Sequence, residues 1–151
     1  MNQMRALMLT FLTTIGISST VGEIIRNARG QIGLVSPYIQ LSERMKKRLR
    51  AADCSGTGIL VVHGKSALDA QTREVLSTLE NLRLLYAESL HAKCYFNERQ
   101  LVLSTMNLYA YSQRNNREMG IRVRKQGGNQ IYSEVLEEVR SIAESAEPQT
   151  V

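Results

Sequence analysis

Leu90-His91-Ala92-Lys93-Cys94-Tyr95-Phe96-Asn97-Glu98-Arg99-Gln100-Leu101-Val102-Leu103-Ser104-Thr105-Met106-Asn107 is the stretch on which the reading of this 151-residue chain turns. Residues 90–96 and 100–104 are apolar-rich runs of strand length. The polar Asn97-Glu98-Arg99 between them makes a tight turn, so the stretch spells a β-hairpin. Side chains two apart on a strand leave the same face. His91 and Lys93 therefore project together, while the small, apolar Ala92 and Cys94 face the other way. The return strand carries Ser104, Thr105 and Asn107 back toward the end where His91 and Lys93 begin. Glu118 heads the next strand, residues 119–124.

Outward from the hairpin, strands and helices alternate. Residues 7–12 read as a first strand. Thr20-Val21-Gly22-Glu23 has the form of a capping box, with Val21, Ile24, Ile25 and Ala28 following at helical spacing and Gly30 at the stop. Residues 32–35 are a short apolar run that ends at Ser36-Pro37-Tyr38, as a buried strand entering a loop does. Ser42 can cap a second helix, with Met45, Leu49 and Ala52 inside. Arg44, Lys46, Lys47, Arg48 and Arg50 form its outer face, a solvated face or a DNA contact. Residues 58–63 are a strand covered on both faces. A helix marked by Leu68, Thr72, Val75, Leu76 and Leu79 follows, then a strand at 82–86. Ile131, Val135, Val139 and Ile142 define a last helix, and the tail after Glu144 is expected to fray. The layout is α/β, a mixed sheet sandwiched between helices in one domain over residues 1–151 with a core at about 7–144.

An imidazole, an ammonium, an amide and a carboxylate thus converge from three neighbouring segments. That set suits a phosphate: Lys and Asn hold non-bridging oxygens, and a histidine attacks phosphorus or moves a proton. His91-x-Lys93, the hairpin, Ser104-Thr105-x-Asn107 and Asn116-Arg117-Glu118 resemble the HKD signature of the phospholipase D superfamily. The stretches Phe11-Leu12-Thr13-Thr14, Leu34-Val35-Ser36-Pro37-Tyr38 and residues 115–120 are similar to its small bacterial members, so the likeness spans about residues 10–124.

The resemblance implies one phospholipase D-like lobe per chain and metal-free, cofactor-free chemistry. One histidine forms a phosphohistidine and a second protonates the leaving oxygen. His91 is then nucleophile or acid, and Lys93 and Asn107 hold phosphate oxygens. Thr105 stands for the family's serine as a hydroxyl donor, and Glu118 accepts a hydrogen bond from the far nitrogen of His91. Glu98 takes the place of the family's aspartate, the hairpin is one residue short, and Ser104 replaces a glycine. The altered acid is expected to affect the turn more than the chemistry. Ser104 and Lys65 are assigned to substrate binding, with Ser104 able to restrict phosphate entry. His63-Gly64-Lys65 spells His-x-Lys but lacks a Ser/Thr-x-Asn sequel, so His63 reads as a strand-end loop residue. With one motif per chain, two histidines require a homodimer with His91 from each copy near the two-fold axis.

Composition limits the class. With 43% hydrophobic and 22% charged residues the chain is an ordinary globular one, and its net charge of +5 suits a polyanionic partner. Cys54 and Cys94 form no disulfide framework or zinc spacing and read as buried thiols of a cytoplasmic protein. The apolar stretch 6–12 is too short to span a membrane. A nuclease acting on DNA, single- or double-stranded, is the leading expectation. Phosphatidyl or other phosphodiester transfer and a non-catalytic nucleic-acid-binding module are the alternatives. With no recognition domain, cleavage would be unselective or directed by a partner protein. Tyr109 and Tyr111 either stack on bases or pack over the hairpin.

Overall fold

The computed structural model describes residues 8–65, 67–109 and 115–151. Its elements run β1 (Leu9–Thr13), α1 (Thr14–Asn27), β2 (Gln31–Val35), α2 (Glu43–Cys54), β3 (Gly58–His63), α3 (Ala70–Ser77) and β4 (Leu82–Tyr86). The hairpin strands β5 (Cys94–Asn97) and β6 (Gln100–Ser104) follow, then β7 (Met119–Arg124), α4 (Gln130–Ser145) and β8 (Glu147–Pro148). Eight strands form one sheet in the order β1-β7-β6-β5-β2-β3-β4-β8. β2, β3 and β4 are parallel and every other pairing is antiparallel.

Helices cover both faces of the sheet at its parallel strands, which is why β2 and β3 read as nearly unbroken apolar runs. Ile32, Leu34, Ile59, Val61 and Tyr95 share a core with Ile17, Ile24 and Ile25 of α1, Leu49 of α2 and Leu76 of α3. Val35, Val62, Leu85, Phe96 and Leu101 turn the other way and pack with Tyr132, Val139 and Ala143 of α4. Gly33 sits where the ring of Phe96 crosses β2: a Cβ there would lie 1.9 Å from a ring carbon.

Several boundaries differ from the sequence expectation. α1 begins at Thr14, and Thr20 is buried in its middle rather than capping it. Ile17 already lies one turn before Val21 on the buried stripe, so the helical period starts earlier than the capping-box pattern suggests. α1 ends at Asn27 with Ala28 extended, and Gly30 does not adopt the left-handed conformation of a helix-stopping glycine. Ser42 does cap α2, accepting from the Met45 N–H at 3.3 Å. Lys46 of its basic run, however, is buried, with its ammonium 2.7 Å from Glu43. Cys94 is buried as expected, and burial pushes its thiol up to about 12, whereas Cys54 is exposed.

The tail does not fray. Glu147 and Pro148 pair with Tyr86 and Leu85 of β4 to make an edge strand, and the Gln149 N–H donates to the Leu84 carbonyl at 2.9 Å. Proline is tolerated there because an edge strand has a side with no partner to bond. The Gln149 side chain meets His63 Nε2 at 2.7 Å. His63 is therefore no loop residue: it closes β3, is buried, and lies edge-on to Tyr86 with ring centroids 5.4 Å apart.

Candidate phosphate-binding site

Sheet topology carries the candidate residues to one edge. The parallel strands β2 and β3 end there, at Ser36 and at Gly64-Lys65. β5 runs against β2, pairing Cys94 with Val35, so Lys93 arrives at that edge. β6 runs against β5 and ends there at Ser104. β7 runs against β6, pairing Gly120 with Ser104, and starts there just after Glu118. β1 closes the row, pairing Thr13 with Met119. The helices that follow β1, β2 and β3 begin at this same edge, so the positive ends of α1 and α2 face it. An anion is favoured there.

Within this edge the contacts are specific. Lys93 is half-buried, and its carbonyl accepts from the Ser104 N–H at 3.3 Å. The Ser104 hydroxyl oxygen accepts from the Met106 N–H at 3.0 Å. Ser104 stands where the resembling signature has glycine, and its bulk is taken up across the ladder, since a Cβ on Gly120 would lie 2.8 Å from Ser104 Cβ. The Thr105 hydroxyl donates to Glu118 Oε2 and accepts from the Met119 N–H. Asn107 Oδ1 lies 3.5 Å from Ser36 Oγ, and neither of its amide hydrogens is used among the described residues. Tyr95, buried beneath, donates to the Met106 carbonyl at 2.5 Å, and burial raises its phenol.

His91 stands apart from these contacts. It precedes β5 rather than lying in it: the strand starts at Cys94, and the chain before it turns on a Leu90 N–H to Ala87 carbonyl bond. The histidine is exposed and makes no hydrogen bond among the described residues. It lines a cleft of about 680 Å³ with Glu88, Ser89, Ala92 and the end of α4 at Ile142 and Ser145. Ala92 is exposed too, unlike the inward position expected for it. The sequence assigned Glu118 to the imidazole, whereas its Oε2 is held here by Thr105. Lys65 reaches the edge through its N–H, which donates to the Pro37 carbonyl at 3.0 Å. Tyr109 is partly exposed, and Tyr111 lies outside the described residues.

Two positioning residues received no role from the sequence. Thr14 Oγ1 accepts from the Glu118 N–H at 2.8 Å and so fixes where the carboxylate begins. Ser36 donates to the Tyr38 carbonyl and accepts from the Leu108 N–H, anchoring the segment after Asn107. Both lie in stretches whose likeness to the family was noted, but only the sheet pairing shows what they hold. Glu98, in contrast, is at the far edge of the sheet. Burial draws its carboxyl upward, and its own backbone N–H with those of Arg29, Gln31 and Gly30 outweigh that and leave it below the usual range. Among the described residues no group of three His, Cys, Asp or Glu side chains could hold a metal, and no helix is long and apolar enough to cross a membrane.

A mixed sheet with helices on both faces and a phosphate-suited edge defines the class, and comparison with known proteins agrees with it. The family described as "Cardiolipin synthase, PLD-like domain" matches residues 21–142, and the chain belongs to this phospholipase D-like family. Its fold is similar to that of Nuc, a phospholipase D family member from Salmonella typhimurium, with a TM-score of 0.75 and 13% identity over 95% of this chain and 99% of that one. NucT from Helicobacter pylori gives a TM-score of 0.78 at 11% identity over 93% and 98% of the two chains. TrmBL2, an archaeal chromatin protein whose structure is described as showing a novel mode of DNA binding, gives 0.71 at 13% identity over 94% of this chain and 54% of that one. No curated protein matches the chain significantly.

Proposed function

We propose that the chain is a metal-independent phosphodiesterase that hydrolyses nucleic acid, DNA by preference, as a homodimer. The observation that carries this reading is the single sheet edge to which Lys93, Thr105, Asn107 and Glu118 are brought, with His91 two residues before Lys93, exposed and making no hydrogen bond among the described residues. Lys93 and the free amide hydrogens of Asn107 hold the non-bridging oxygens of a phosphodiester. A ring nitrogen of His91 attacks phosphorus, the bond to the leaving oxygen breaks, and the partner subunit's His91 gives that oxygen its proton. A water molecule then passes a proton back to that histidine, attacks the phosphohistidine and frees His91. Thr105 occupies only one oxygen of Glu118, so Oε1 is left to accept from an imidazole N–H and fix its tautomer.

A second reading, the non-catalytic binding module, draws on one observation: Thr105 and Glu118 are engaged with each other rather than with His91. Cleavage of labelled single- and double-stranded DNA in excess EDTA, by wild type and by His91→Ala, separates the two. Cutting that survives EDTA and disappears in the variant supports the phosphodiesterase. Salt-dependent DNA binding with no cutting by either protein would leave the binding module in its place.

A further inference from the structure

Between α1 and α2 lies a groove of about 1000 Å³, separate from the cleft that His91 lines. It opens beside the candidate site. Ser18, on its wall, contacts Met106 Sδ at 3.8 Å, and the Gln40 N–H donates to the Leu108 carbonyl at 2.8 Å, on either side of Asn107. From Ile15 to Arg26 along α1 the groove extends about 16 Å at 1.5 Å per residue.

Its charge is not balanced. Two carboxylates line it, and each is already used: Glu43 by Lys46 at 2.7 Å and Glu23 by Arg122 at 3.1 Å. Arg26, Arg44 and Arg48 line the same groove with no ion pair among the described residues. Arg48 is half-buried, and its guanidinium lies on α1 where Gly22 leaves room: a Cβ at Gly22 would sit 2.6 Å from Arg48 Nη1. A glycine inside a helix is unfavourable by about 0.5–1 kcal/mol relative to alanine, and here the missing side chain admits a cation. Burial, then Arg26 and Arg44, lower the pKa of Arg48, so each of these two guanidiniums repels that of Arg48. Among the described residues no aromatic ring lines the groove to stack on a base.

We propose that this groove is a track for the phosphodiester backbone of the nucleic acid, leading the strand from the cutting edge along α1 past Arg44, Arg48 and Arg26. The inference rests on the nucleic-acid reading given above and deepens it. The contacts are to phosphates, so the track reads charge rather than sequence. Ser18 and Ser19 add hydroxyl donors along the same wall.

The test is equilibrium binding of a fluorescent 20-mer, single-stranded and duplex, to the full chain carrying His91→Ala, over a salt series. Each arginine that neutralises a phosphate steepens the slope of log affinity against log salt by about 0.7 for single strands and 0.9 for duplex. Arg44→Gln is expected to flatten the slope by about one such step, and the Arg26→Gln/Arg44→Gln/Arg48→Gln variant by about two to three. Arg140→Gln, an equal charge change on α4, should leave it unaltered. Arg26 and Arg44 are exposed, so the double Arg26→Gln/Arg44→Gln protein remains informative should the triple variant not fold. An unchanged slope in the arginine variants, with the parent still binding DNA, overturns the track alone. A parent that binds no DNA overturns the nucleic-acid reading and the track with it, and equally tight binding of polyglutamate would overturn the assignment to nucleic acid.

Discussion

Glu98 shows how much a single residue can be read from sequence and how much cannot. Its place in the motif suggested a role in the turn, and its carboxylate does bind the Arg29 N–H at 2.6 Å, joining the hairpin turn to the α1–β2 connection. A carboxyl held below its ordinary pKa contributes stability that is present above the unfolded value and is lost as pH falls through the folded one. Glu98→Ala should therefore cost about 1–2 kcal/mol at neutral pH, with the gap to wild type closing below about pH 4. Denaturant titrations across that range check this, and nucleic-acid cleavage should not change. Gly33→Ala is expected to lose about 1–3 kcal/mol by overpacking against Phe96. Combined with Phe96→Leu it should lose less than the sum of the two single changes. Lys46 was misplaced because helical period assigns a face, not the path of a long side chain, and Cys54 because cysteine usage says nothing of where the last residue of α2 lies.

At the scale of elements, legibility followed the apolar pattern of the strands. β3, β4, β6 and β7 were placed at their observed bounds because unbroken or alternating apolar runs leave few alternatives. β5 was read four residues too early, since Leu90 is as apolar and buried as a strand residue while belonging to a turn. β8 had no signal at all: two residues with a proline carry no period, and only β4 beside them makes them a strand. Removing residues 147–151 takes away the pairing to β4 and the Gln149 contact with buried His63. We expect a loss of about 1–3 kcal/mol, read as a lower midpoint in thermal unfolding, and Gln149→Ala alone should reproduce part of it.

At the scale of the whole molecule, an apolar patch stands exposed among the described residues. Phe11 pairs with Ile121, and Ile121 with Leu103, so all three share the α4 side of the sheet, beyond the reach of that helix. Phe11 is 64% and Met119 61% exposed, and Met119 adjoins Glu118. A second copy seated on this patch would bury it next to the edge that holds the candidate site, as the homodimer proposal requires. Phe11→Asp should yield a monomer by sedimentation and lose cleavage with it. In a heterodimer of wild type with His91→Ala, two histidines acting on one phosphate predict almost no cutting, whereas independent sites would retain half. The placement of Lys93 and Ser104 at one edge was legible because hairpin geometry fixes it locally. The roles of Thr14 and Ser36 were not, because they depend on residues 104 and 71 positions away.

That distance has a consequence for synthesis on the ribosome. The parallel strands β2, β3 and β4 are contiguous units that can pair as they emerge, but β1 must wait for β7, more than a hundred residues later. Glu118 hangs from Thr14 and Thr105, so the edge is assembled only when the first and later parts of the chain meet. The parallel strands can thus be in place before the edge they support is complete, and that edge closes only once β7 has been made and has met β1.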